Sequence, residues 1–267
     1  MTRSTELPDH ASEADDRSIP IDRVGIRRLS YPIQVWDRSN RLQSTIATID
    51  ATVSLPATVK GTHMSRFVEV LHEVRGELSL NNLEAVLMRI QHRLGASATH
   101  LDVRFPYFME KAAPVSGAKS LMQYGAAFHA SRHGNVFDFV LEVDVPVTTL
   151  CPCSKAVSEY GAHNQRSEVK VLVRGEPFLW IEEVVEAVEA CASSPVFALL
   201  KREDEKFVTE LAYDNPRFVE DMIREVVAAL RPRARSLKVS VENFESIHNH
   251  SAWAELEWSA DGSTLSG

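Results

Sequence analysis

The sequence predicts an α+β protein in which antiparallel strands carry pairs of helices on one face. Three observations lead there. Stretches rich in β-branched and aromatic residues come in neighbouring pairs, and amphipathic stripes at helical spacing also come in pairs. The two kinds alternate along the chain roughly as ββαα-β(ββ)-β-αα-ββ. Each helix has one apolar stripe to bury, so strand pairs with a helix pair between them suit a sheet covered on one side.

Taken in order, residues 1 to about 20 are polar with scattered acids and are expected to form a disordered tail. Val24–Trp36 and Leu42–Leu55 read as strands. Met64–Val74 sets Phe67, Val68, Val70 and Leu71 near helical spacing. Leu83–Leu94 aligns Leu83, Val86, Leu87, Ile90 and Leu94, with Asn81 and Asn82 as N-cap residues. A strand is expected over His100–Phe108. Gln123–Ser131 and Val136–Val147 form an expected hairpin around Arg132, His133, Gly134 and Asn135. Leu150–Asn164 reads as irregular or briefly helical, and Glu168–Arg174 as a strand. A helix over Leu179–Ala192 carries Ile181, Val184, Val185 and Val188. Asn215 and Pro216 read as the N-cap and first position of a further helix, with the stripe Phe218, Val219, Met222, Ile223, Val226, Val227 and Leu230. Leu237–Phe244 and Ala252–Trp258 close the chain as strands. No internal repeat is visible, yet the halves share one pattern, so two modules are expected at about 21–115 and 120–260 within 21–267.

With 267 residues, 44% of them hydrophobic and 25% charged, the chain has the makings of a sizeable apolar core. Its net charge of -8 lacks the basic footprint of a nucleic-acid binder. A phosphorylated small molecule needs only a local basic pocket and stays allowed. The three cysteines, Cys151, Cys153 and Cys191, form no spaced disulfide framework. No apolar run reaches the ~18 residues of a membrane span, and the N-terminus lacks the apolar core of a secretory signal. A cytoplasmic protein is expected.

The chemistry concentrates in Leu150-Cys151-Pro152-Cys153-Ser154-Lys155 and the following Tyr160–Ser167, which bring two thiols, His163 and Arg166 within 16 residues. Cys151 and Cys153 are badly placed to bridge each other. A thiolate ligand beside an imidazole is one use. Two small buried thiols and a loop histidine are an equally weighted alternative on these residues alone. Cys191 ends an amphipathic stripe and is expected in the core.

The run LCPCSKAVSEYGAHNQRS resembles the hallmark of the type IB GTP cyclohydrolase I family. Further matches follow in order: KGTHMSRF at Lys60–Phe67, LLKREDEKFVTE at Leu199–Glu210, DNPRFVED at Asp214–Asp221 and ESIHNHSA at Glu245–Ala252. The resemblance covers nearly the whole chain beyond the tail. It implies a tunnelling fold in two tandem modules and a homo-oligomer, a tetramer with sites at subunit interfaces. The implied substrate is GTP, and no nucleic acid or membrane partner is implied.

The same resemblance implies one divalent metal ion (Mn, Fe or Zn) on Cys151, His163 and Glu205, and no organic cofactor. A thiolate plus a carboxylate neutralises such an ion, and three protein ligands leave a position for water. Glu205 by position alone reads as a solvated acid in a charged run. Glu220 is implied as the purine anchor, since a carboxylate offers two acceptors to the donors of a guanine edge; its bland alternative is a surface pair with Arg224. His250 is implied in proton transfer, with His248 as a second participant or a structural residue. Cys153 is implied near the centre as a supporting or proton-relay group open to oxidation. For the triphosphate, Lys60, His63 and Arg66 of the KGTHMSRF run and Arg166 of the hallmark run are favoured over Lys201, Arg202 and Lys206. Two rivals differ in what they require. A nitrile reductase of the same fold would use a covalent thioimide and NADPH. A thiol-based metal or redox sensor would have no use for Glu220 or His250.

Overall fold

A computed structural model describes residues 9–39, 41–74, 77–78, 80–262 and 265. The first strands are β1 (Ile21–Trp36) and β2 (Leu42–Leu55), followed by α1 (Ser65–Glu73) and α2 (Leu80–Leu94). Next come β3 (Ala98–Ala112), β4 (Lys119–His133), β5 (Val136–Leu150), α3 (Pro152–Val157) and β6 (Asn164–Gly175). The remainder is α4 (Ile181–Cys191), β7 (Ser194–Pro195), α5 (Arg202–Asp214), α6 (Val219–Leu230), β8 (Ala234–Asn243) and β9 (Ala252–Ser259). Strand neighbours follow the order β1-β2-β3-β4-β5-β6-β8-β9, with β7 on β5.

The chain divides into two compact units: Met1–Trp36, Leu42–Arg104 and Phe128–Phe139 form one, and Asp37–Arg41, Phe105–Ala127 and Val140–Gly267 form the other. In the first unit β1 and β2 pair antiparallel from Ile21↔Leu55 to Trp36↔Leu42, with register shifts on either side of Gly25. A Cβ on Gly25 would stand 2.1 Å from the Ala51 carbonyl oxygen, so only glycine lets the strands approach there. The core of this unit gathers Ile33, Val35, Ile49 and Val53 with Phe67, Leu71, Leu83, Leu87 and Ile90. Of the expected stripes, Phe67, Val70 and Leu71 and Leu83, Val86, Leu87 and Ile90 turn inward, whereas Val68 is exposed and Leu94 half-buried at the helix end. Asn82 is not the N-cap expected of it: α2 already runs from Leu80, and the Asn82 side chain donates to the Glu77 carbonyl at 2.7 Å instead of accepting a helix amide, whereas the Asn81 side chain lies outside the described residues.

Half of the expected tail has local structure. Residues His10–Ser12 form a 3-10 turn, Ala14 bridges to Val59, and Gly61 donates its amide to the Ala11 carbonyl at 3.0 Å. Residues 1–8 lie outside the described residues.

In the second unit β5, β6, β8 and β9 pair antiparallel in that order. β6 and β8 are neighbours in the sheet although α4, α5 and α6 lie between them in sequence. Leu141, Val143, Val145 and Val147 of β5, Val169, Val171 and Val173 of β6, and Leu237, Val239 and Val241 of β8 are all buried. Their register puts them on one face, for example Val143↔Val171 and Val171↔Val239. α6 lies against β8 and β9, and α4 against α6. The period-two alternation in these strands is thus the signature of a sheet covered on one side.

Two further expectations need correction here. Asn215 does not open a helix: it closes α5, donating from its backbone amide and from Nδ2 (2.8 Å) to the Leu211 carbonyl. The following helix starts at Val219 on Phe218, whose amide is taken by Asp221 Oδ2 at 3.0 Å. α5 itself was not expected. Only Asp204 and Ala212 of that helix are buried, so the run REDEKFVTELAYD offers no apolar stripe to recognise.

Candidate functional site

The segment rich in chemistry falls where β5 ends and β6 begins, in the second unit. Cys151 is the N-cap of α3, with Pro152 at the first helical position, where a missing N–H costs nothing. Its sulfur accepts the Ser154 amide at 3.5 Å. The two ends of the loop are tied together: the Cys151 amide donates to the His163 carbonyl at 3.1 Å, and the His163 amide donates to Ser154 Oγ at 3.2 Å. Ser154 Oγ donates in turn to the Cys151 carbonyl at 3.2 Å. One serine therefore braces both residues, so the 11-residue excursion returns His163 beside Cys151.

The His163 ring is largely buried. Its Nδ1 lies 3.1 Å from Gln165 Oε1 and 3.8 Å from Glu245 Oε2, while Nε2 has no partner among the described residues. Glu245 reaches this point because the Phe244 amide donates to the Arg166 carbonyl at 3.0 Å, seating the β8–β9 loop on β6. Later in that loop, the exposed rings of His248 and His250 stack with centroids 5.1 Å apart. Cys153 is exposed, whereas Cys191 is buried as expected, and burial pushes its thiol up to about 11.

Glu205 stands in the first turn of α5, exposed, and its carboxylate has no hydrogen bond or ion pair among the described residues. Its neighbour Asp204 has the opposite fate. Asp204 accepts the amides of Val115, Ser116 and Lys201 and the Ser116 hydroxyl, at 2.5–2.9 Å. Burial acts to raise the Asp204 carboxyl, but these donors outweigh it and hold the group well below the usual carboxylate range. Asp204 thus locks the start of the helix to the β3–β4 turn and leaves Glu205 pointing free. Lys155 donates to the Tyr213 carbonyl and sits 4.2 Å over the Tyr213 ring, tying α3 to the end of α5. The Arg217 amide donates to the Leu150 carbonyl at 3.0 Å and its Nε to the Cys191 carbonyl at 3.2 Å. That bracket ties the approach to α6, and hence Glu220, to the residue before Cys151. Glu220 is exposed and pairs neither with Arg224 nor with any other described residue, so the surface-pair alternative fails.

The cations expected to take a triphosphate are distributed differently. Arg166 is exposed on β6. In the first unit, Lys60 pairs with Glu13 at 2.7 Å, His63 Nε2 lies 3.3 Å from Asp9, and Arg66 donates to the Arg93 carbonyl at 3.2 Å. Acids of the N-terminal segment occupy two of these three residues. Lys206 is engaged by Glu210, at 2.6 Å to each carboxylate oxygen.

The donor set suits a divalent ion in its chemistry: one sulfur, one imidazole nitrogen and one carboxylate, with the last two bare. Among the described residues, no three His, Cys, Asp or Glu side chains already form a close metal-holding group. Cys151 and His163 are brought together, and Glu205 is presented separately on α5. Ser154, Gln165, Glu245, Lys155, Arg217 and Asp204 were not singled out from sequence as supporting residues. All six lie inside the matched motifs, but nothing in the residue pattern separates them from their neighbours there.

A family model described as "Type I GTP cyclohydrolase folE2" matches residues 7–254. The chain is 54% identical over 253 residues to the GTP cyclohydrolase FolE2 of Geotalea uraniireducens, covering 94% of this chain and 93% of that one. It is 55% identical over 261 residues to the GTP cyclohydrolase FolE2 of Citrifermentans bemidjiense, covering 97% of each. Among solved structures, the uricase of Arthrobacter globiformis aligns with a TM-score of 0.50 at 9% identity, over 92% of this chain and 96% of that one. A hyper-thermostable AgUricase mutant aligns at 0.53 and 9%, over 92% and 94%. At such identity the likeness shows the fold alone, which is the tunnelling fold expected above.

Proposed function

Because the chain belongs to the type I GTP cyclohydrolase folE2 family, we propose that it hydrolyses GTP to 7,8-dihydroneopterin triphosphate and formate, the first step of tetrahydrofolate biosynthesis. The same product also serves deazapurine tRNA modification. The observation that carries this reading is the match of nearly the entire chain to relatives of that one activity, with Cys151 and His163 bracketed together in the middle of it.

The metal centre is assigned to Cys151, His163 and Glu205, and a bound divalent ion would supply a Lewis acid and an easily ionised water for attack at C8 of guanine. Mn, Fe and Zn all suit this mixed set, and no organic cofactor is invoked. The chain's own residues do the rest. Glu220 holds the guanine edge: its two acceptor oxygens face the ring N–H and amino donors, and its lack of a protein partner leaves both available. His250 moves a proton during ring opening and formyl release, a task suited to an imidazole near neutral pH. Cys153, exposed at the start of α3, is the supporting thiol. Lys60, His63, Arg66 and Arg166 receive the triphosphate, for which Lys60 and His63 must exchange their ties to Glu13 and Asp9.

The reading includes assembly as a homotetramer with sites at subunit interfaces. Val157, Tyr160 and Ile247, apolar and strongly exposed around the segment, support a covering copy of the chain. No described helix is long and apolar enough to cross a membrane, and the working compartment is taken as the cytoplasm. The test is incubation of metal-stripped protein with GTP, with and without Mn²⁺, followed by oxidation to a fluorescent pterin. Metal-dependent fluorescence is expected; full turnover after exhaustive chelation refutes the metal reading.

A further inference from the structure

Three neighbouring strands of the second unit change character at the same end. On the covered face β5 places Leu141, Val143, Val145 and Val147 inward and then Thr149. β6, read toward its start, places Val173, Val171 and Val169 and then Ser167 and Gln165. β8 places Leu237, Val239 and Val241 and then Asn243. Thr149 and Ser167 are 0% exposed, Asn243 3% and Gln165 6%. Burying hydroxyls and amides where valine fits costs stability unless they are hydrogen-bonded, so packing alone does not account for them. All of them lie at the end of the sheet that carries Cys151, His163 and Glu245.

The hydrogen bonds of Gln165, Thr149 and Ser167 form a directed chain, whereas Asn243 Oδ1 is buried without a partner among the described residues. Gln165 Nε2 donates to Thr149 Oγ1 at 2.8 Å, and Thr149 Oγ1 shares a hydrogen bond with Ser167 Oγ at 2.8 Å. The amide of Gln165 is thereby held with its carbonyl oxygen 3.1 Å from His163 Nδ1. A carbonyl oxygen only accepts, so Nδ1 carries the proton and Nε2 keeps the lone pair. The main chain of His163 is fixed separately, through Ser154 and Cys151. Glu245 Oε2, at 3.8 Å from the same Nδ1, is beyond hydrogen-bonding reach and adds negative charge on that side.

We infer that Gln165, braced by Thr149 and Ser167, is a positioning residue that sets the tautomer and orientation of His163 and so presents Nε2 to the metal. This rests on the metal centre proposed above. Outer partners of a metal-binding histidine act in this way by fixing which nitrogen is free.

The test is Mn²⁺ binding by the full-length, metal-stripped protein, read from the EPR signal of free Mn²⁺, with melting of the metal-free protein alongside. Gln165→Met, close in size but without an acceptor, is expected to weaken Mn²⁺ binding about 10- to 100-fold. Gln165→Glu, which keeps an acceptor facing Nδ1, is expected to stay within about threefold of the unaltered protein. Thr149→Val leaves Gln165 in place but frees its amide, and a smaller loss is expected. Gln165→Met binding as tightly as the unaltered protein overturns the inference and leaves the metal reading standing. So does an equal loss in the Met and Glu variants when both melt as the unaltered protein does. If His163→Ala binds Mn²⁺ undiminished, the metal reading itself falls, and the inference with it.

Discussion

Replacing Thr149 by valine tests the buried polar chain as a piece of structure. The side chain has no exposed surface, and its hydroxyl serves two groups at 2.8 Å, Gln165 Nε2 and Ser167 Oγ. Valine has the same shape, so no cavity forms and the loss is confined to hydrogen bonding. A buried N–H and a buried hydroxyl are then each stranded at roughly 1–3 kcal/mol. The added methyl returns about 0.8 kcal/mol. The net destabilisation is about 3 kcal/mol, equivalent to a fall of roughly 6–12 °C in Tm for a chain of this size. Equilibrium urea unfolding of the metal-free protein, followed by tryptophan fluorescence, measures it. Adding Ser167→Ala removes one stranded partner, so the double variant is expected to be more stable than the sum of the single losses by about 1 kcal/mol. A Thr149→Val protein within about 0.5 kcal/mol of the unaltered one, the range of an ordinary surface change, refutes the reasoning.

Three further outcomes are expected. Glu220→Gln trades a charged acceptor pair for a half-matched amide and is expected to raise KM for GTP about 10- to 100-fold; unchanged KM and kcat remove the anchor role. In the first unit, burial, helped by the nearby Arg23 and His133, lowers His100 from 6.5 to about 4. The unfolded chain takes up this proton first as pH falls, so the stability is whole above pH 6.5 and drains away toward pH 4. His100→Gln is expected to flatten the stability–pH curve across that window, and parallel curves contradict it. Lys111→Met leaves the largely buried Glu189 without its cation, keeping only the Tyr124 hydroxyl (2.8 Å), because Lys111 Nζ bonds both Glu189 (2.6 Å) and the Val196 carbonyl (2.8 Å). A loss of about 3 kcal/mol in urea unfolding is expected, partly recovered by adding Glu189→Gln; full stability of Lys111→Met alone contradicts it.

Much of this architecture was legible because burial writes a period into the sequence. β2 was expected over Leu42–Leu55 and is found there, and the stripes of α1, α2, α4 and α6 are the buried faces apart from the exposed Val68 and Phe218 and the half-buried Leu94. α5 left no such trace: its one fully committed residue, Asp204, is an acid among acids, and its role is visible only once the β3–β4 turn is seen donating to it. Asn215 misled because Asn-Pro serves a helix end as readily as a helix start, and the side chain chose the Leu211 carbonyl behind it. At the candidate centre, the motif singled out Cys151 and His163, and the main chain brings them together. Gln165 stayed hidden because its value lies in joining His163, two residues back, to Thr149 across a strand pair. A sequence shows neighbours along the chain, whereas Thr149 and Gln165 meet only through the β5–β6 register. The supporting roles of Ser154, Lys155 and Arg217 were unreadable for the same reason, since each acts through a carbonyl or amide distant in sequence or silent in it.

The central claim is that Cys151, His163 and Glu205 close on one divalent ion. Anomalous diffraction at the manganese edge, from crystals of the Mn²⁺-loaded protein, tests it most directly. The account expects a single strong peak per chain, about 2–2.5 Å from the Cys151 sulfur, His163 Nε2 and a Glu205 carboxylate oxygen together. A peak bound elsewhere, or one that leaves Glu205 or His163 out of its coordination sphere, contradicts the account.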